Sequence, residues 1–105
     1  MEIKEFVTAR GRNLFRSWLV GLDRPIRERI QARVRRMGGG NVGKDRHLGG
    51  GLHEAKLDFG PGYRLYYGYR QSELILLLGG GDKSTQARDI ALAGAHWRDY
   101  QAGGS

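Results

Sequence analysis

A chain of 105 residues with 39% hydrophobic and 28% charged side chains has room for one domain around one modest core, which excludes a second domain and argues against disorder. Lysine and arginine number 18 against 11 acids, leaving a formal charge of +7 that suits a polyanionic partner. The absence of cysteine excludes disulfides, thiolate zinc sites and cysteine nucleophiles, and fits a reducing compartment.

Ile3 to Val7 reads as a short first strand. Phe15, Trp18, Leu19 and Leu22 then fall at the spacing of one helical face. Asp23 ahead of Pro25 offers a cap and a first-turn proline for a second helix, whose apolar side is Ile26, Ile30, Val34 and Met37. Its other side carries Arg24, Arg27, Arg29, Arg33, Arg35 and Arg36 against the single acid Glu28. Such a stripe either tracks phosphates or is a solvated face that receives an acidic partner. Gly38, Gly39 and Gly40 end the helix.

The polar, glycine-rich stretch from Asn41 to Gly51 reads as a connection. Beyond it Leu57 and Phe59 alternate with Lys56 and Asp58 as in a strand, and Gly60-Pro61-Gly62 supplies a turn into Tyr63 to Tyr67. A β-hairpin results, with Tyr63, Leu65 and Tyr67 on one face and Arg64 and Tyr66 on the other, Arg64 looking away from the core. Leu74 to Leu78 is apolar throughout, as in a strand covered on both sides, and is far too short to cross a bilayer. After Gly79-Gly80-Gly81, Asp82 or Ser84 can cap a last, short helix carrying Ile90, Ala93 and Trp97. Residues 1–102 are thus expected to form one α+β domain, with two amino-terminal helices on a mostly antiparallel sheet and a frayed tail at 103–105. With no signal peptide or membrane span in the sequence, a cytoplasmic location away from membranes is expected.

Two segments carry a family likeness: Glu54-Ala55-Lys56-Leu57-Asp58-Phe59-Gly60-Pro61-Gly62-Tyr63-Arg64-Leu65-Tyr66-Tyr67, and Leu76-Leu77-Leu78-Gly79-Gly80-Gly81-Asp82-Lys83-Ser84-Thr85-Gln86. They resemble the signature of addiction-module killer proteins, a HigB-like branch of the RelE/ParE superfamily of toxins. Asn41-Val42-Gly43 and Asp89-Ile90 extend the likeness, which runs from about Phe15 to Ala93. The chain departs from the family pattern at Ala55-Lys56, where Leu-Arg is usual, and at Asp89, which stands roughly where a carboxy-terminal tyrosine is often found.

The resemblance implies a compact RelE-like domain and a cognate antitoxin encoded alongside, a helix-turn-helix DNA-binding protein. It also implies a toxin that cleaves messenger RNA on the ribosome. That chemistry needs no metal or cofactor, because the RNA's own 2′-hydroxyl attacks the adjacent phosphate. On this reading Arg64 stabilises the transition-state phosphate through its donor fork. Lys56 serves as charge stabiliser or general base, Lys83 adds charge at a helix start, and Tyr66 stacks on a base or moves a proton. Arg33, Arg36, Lys44 and Arg46 are the expected contacts to RNA or the ribosome. His47, His53 and His96 are too scattered to suggest a metal site. The rival expectation is a non-enzymatic inhibitor of DNA gyrase, as in the ParE branch; a plain RNA-binding module rests on charge alone.

Overall fold

The computed structural model describes residues 1–42, 45–70 and 73–103. Strand β1 (Glu2–Glu5) leads into helices α1 (Leu14–Val20) and α2 (Arg24–Gly38). Four strands follow, β2 (Arg46–Gly49), β3 (Leu52–Lys56), β4 (Arg64–Arg70) and β5 (Leu74–Gly81), and then helix α3 (Gln86–Gln101). The α+β class is as expected. The strands form one sheet in the order β1-β5-β4-β3-β2, with β1 parallel to β5 and every other pair antiparallel.

The sheet has an apolar layer on each face. Phe15 and Leu19 of α1 and Ile30 and Met37 of α2 pack on Ala55, Leu65, Tyr67, Ile75 and Leu77. Ala93 and Trp97 of α3 pack with Phe6, Leu52, Tyr66, Leu74, Leu76 and Leu78 on the other side. An all-apolar β5 is therefore covered on both faces, as its composition requires. Two glycines let tryptophan rings lie flat on the sheet. A Cβ at Gly80 would stand 2.1 Å from Trp18, and one at Gly68 would stand 2.1 Å from Trp97. Trp97 also donates from Nε1 to the Gly50 carbonyl at 2.7 Å, tying α3 to the β2–β3 turn.

Several boundaries differ from expectation. The stretch taken as a connection contains edge strand β2, whose turn to β3 uses Gly49, Gly50 and Gly51, all at positive φ. The first hairpin arm is β3, ending at Lys56. Leu57 and Phe59 lie past it in a loop closed by Leu57 N–H to the Tyr63 carbonyl at 2.9 Å. The glycines at 79–81 extend β5 and do not form a turn, with a bulge near Leu78 where the β4 register shifts between Tyr66 and Tyr67. The last helix is not short: α3 has 16 residues. Asp23 sits at the α2 cap position without a capping side-chain bond. Asp82 caps a 3₁₀ turn, Lys83–Thr85, that precedes α3. No helix among the described residues is long and apolar enough to cross a membrane.

Candidate functional site

Successive side chains along a strand point to opposite faces of the sheet, so Leu52, Glu54 and Lys56 of β3 share the α3 face, Lys56 at the end farthest from the glycine turn. Leu52 lies under α3. Glu54 and Lys56 lie at the open end of the sheet, beside the first turn of α3, where a polar wall forms.

Lys56 and Arg64 are direct partners across the β3–β4 ladder, and Arg46 of β2 is the partner of Glu54. Arg64 is 8% exposed, contrary to the expectation that it looks away from the core. Its Nη1 donates to the Gly62 carbonyl at 2.7 Å, and its Nε lies 3.7 Å from Glu54 Oε2 without a hydrogen-bond partner among the described residues. Glu54, 5% exposed, also accepts from Gln86 Nε2 at 2.9 Å and stands 3.6 Å from Arg46 Nη1. A buried carboxylate thus holds one buried guanidinium and draws in one exposed one. Lys56 is exposed.

These groups line an open cleft of about 460 Å³ with Arg33, Asp45, Asp58 and Gln86. A second cleft of about 310 Å³ shares the walls Arg33, Lys56 and Asp58 and adds Arg29, Arg36 and Phe59. Together they make one groove that wraps the end of β3 and meets the arginine face of α2. Six cations line it against the three acids Asp45, Glu54 and Asp58. Two of those acids are consumed internally. The Asp45 side chain is buried, ion-paired with Arg33 and hydrogen-bonded by the Tyr67 hydroxyl, and Glu54 is engaged as above. The groove therefore presents positive charge to an anion.

The residues singled out from the sequence fall into separate places. Lys56, Arg64, Arg33, Arg36 and Arg46 all line this groove, although Arg33 does so with its charge matched by Asp45. Lys44 lies outside the described residues. Lys83 is exposed at the hairpin turn, where Gly62 lies between it and Arg64, and is not a wall of the groove. The expected anion-favouring N–H groups at Lys83 are not free, since Asp82 accepts the Ser84 N–H at 2.8 Å. Tyr66 is fully buried under α3, against a different cavity lined by Trp18, Leu78 and Asp89. A ring with no exposed face cannot stack on a base. Burial, with the Glu54 carboxylate nearby, pushes its hydroxyl well above the usual phenol range.

Sequence reasoning missed Glu54, Gln86 and Asp45. Glu54 stood inside the recognised segment, but its role depends on a register that places it beside Arg46 and next to Arg64. Gln86 depends on where α3 begins. Among the described residues no group of three or more His, Asp or Glu side chains is placed to hold a metal ion.

A curated relative, an uncharacterized protein of Haemophilus influenzae, is 41% identical to the chain over 80 residues, which cover 75% of this chain and 81% of that protein. No family model matches the chain, and no solved structure matches it.

Proposed function

The chain belongs to the same family as that uncharacterized Haemophilus influenzae protein, which brings no activity with it, and from the sequence resemblance together with the cationic groove we propose a RelE/ParE-like toxin that cleaves messenger RNA on the ribosome. The observation that carries the reading is the pairing of Lys56 with Arg64 at the mouth of a groove that continues onto the arginine face of α2.

A phosphodiester seated there meets an exposed ammonium from Lys56 and the donors of Arg64 that Gly62 leaves free. Arg64 is held in place by Glu54 and the Gly62 carbonyl, so its fork need not reorganise as charge builds on the phosphorane. Glu54 acts through Arg64 and is a positioning residue. The held Arg64 and the exposed Lys56 supply the charge stabilisation that attack by the 2′-hydroxyl requires, and Arg36 and Arg46 hold the flanking phosphates by charge. Lys56 neutralises the phosphate with its ammonium as the attack forms a 2′,3′-cyclic phosphate and breaks the P–O5′ bond, the 2′-hydroxyl proton passing through solvent to the departing 5′-oxygen. Tyr66, enclosed and held neutral, is given no catalytic part, and Lys83 at the turn is left to a supporting charge. Such a toxin works in the cytoplasm, where ribosomes are, and needs a cognate antitoxin. An acidic segment of that partner would cover the same groove.

Expression in a bacterial host tests the reading. Wild type should arrest growth and leave new in-frame cuts in messages mapped by primer extension, while Arg64→Ala and Lys56→Ala should abolish both. Intact messages together with inhibited DNA supercoiling would transfer support to the gyrase-inhibitor reading.

A further inference from the structure

The groove has a second surface that a phosphate site alone does not need. Arg29, on the exposed face of α2, holds its guanidinium carbon 3.8 Å from the centroid of the Phe59 ring. Phe59 is braced from behind by Tyr63 at 5.7 Å between ring centroids, and Tyr63 in turn by Trp18 at 6.4 Å. Both Arg29 and Phe59 line the part of the groove that Lys56 shares with the Arg64 cleft. Among the described residues Arg29 has no ion pair or side-chain hydrogen bond.

An arginine that serves only a phosphate uses the edge donors of its plane. Arg29 instead holds its guanidinium over the Phe59 ring, and both line the groove. The planar cation thus already rests on an aromatic ring, with Tyr63 and Trp18 packed in a row beyond it. A flat guanidinium face is a stacking surface for a nucleobase. From Arg29 to Arg36 the helix rises about 10 Å, so the platform stands at one end of a charged track whose other walls hold the backbone. We infer that Arg29 and Phe59 form a base-stacking subsite, so that the substrate is a single strand with an unpaired base beside the phosphate held by Lys56 and Arg64. The inference rests on the nucleic-acid reading of the groove and adds to it the requirement for an accessible base.

The test uses the full chain and fluorescence anisotropy with a short labelled 2′-O-methyl RNA strand, which cannot be cut by its own hydroxyl. A second strand has the same backbone with its bases removed. Wild type should bind the base-bearing strand about tenfold more tightly than the abasic one. Arg29→Lys keeps the charge and loses the plane; Phe59→Leu keeps the packing and loses the ring. Each should bring that preference close to unity and leave affinity for the abasic strand unchanged. Equal affinity for the two strands in wild type overturns the inference, as does a variant that weakens both strands alike, the behaviour expected of a plain charge or of an acidic-peptide site. If wild type binds neither strand, the nucleic-acid reading itself fails. Should Phe59→Leu fold poorly, Arg29→Lys, on an exposed helix face, decides the matter alone.

Discussion

Glu54 is the residue on which the candidate site turns, because it is a carboxylate 5% exposed that keeps Arg64, itself 8% exposed, in a fixed place. Removing the charge from one member of such a pair leaves the other buried without compensation, which is far more costly than replacing both. Glu54→Gln should therefore lower unfolding stability by about 3 kcal/mol, read from a urea titration. Adding Arg64→Gln should cost much less than the sum of the two single changes. A loss below about 1 kcal/mol, with additive behaviour, would mean that the pair is not formed in solution. How far such residues can be read from sequence depends on what defines them. Lys56 and Arg64 are visible because the family likeness singles them out and the Gly60-Pro61-Gly62 turn puts them on adjoining hairpin arms. Glu54 is not, since its burial and partners follow from the β2–β3 and β3–β4 registers and from the first turn of α3, none of which a linear pattern states.

Among the elements, those with a strong period are legible: α1 and α2 from three- and four-residue apolar steps, β5 from an unbroken apolar run, and α3 from Ile90, Ala93 and Trp97. The misread elements are β2 and the end of the first hairpin arm. Strand β2 has only Leu48 as an aliphatic side chain and is closed by three glycines, so it looks like a loop. The alternation of Leu57 and Phe59 suggested a longer arm. The ladder stops at Lys56 because β3 has run beyond the cover of α3, and there charged residues occupy the face that Leu52 fills with apolar contact. Packing elsewhere is tight enough to test directly. At Gly68 an added methyl would meet the Trp97 ring at 2.1 Å, so Gly68→Ala should destabilise the protein by about 2 kcal/mol through displacement of α3. The expected signature is a lowered denaturation midpoint with an altered tryptophan emission; an unchanged midpoint would show that α3 is free to shift.

At the level of the whole molecule, two aromatic rings bridge the polar and apolar layers. Tyr66 and Tyr67 are both fully buried, and burial first, with Glu54 beside one and Asp45 bonded to the other, pushes both hydroxyls above the ordinary value of 10.0. A group whose folded pKa is raised gives stability that is whole below the unfolded pKa and is lost as pH climbs toward the folded one. Stability should therefore hold below pH 10.0 and fall above it by about 1.4 kcal/mol per pH unit for each ring. In an alkaline titration, two of the five tyrosines should ionise only as circular dichroism is lost; smooth ionisation of all five in folded protein would contradict this. The parallel pairing of β1 with β5 has a consequence during synthesis. The first strand has no neighbour until Leu74 to Leu77 have left the ribosomal tunnel, and Glu54 lacks its amide donor until Gln86 follows. A half-made copy therefore carries no finished cationic groove, whose walls come together only once the last strand and the first turn of α3 have been made.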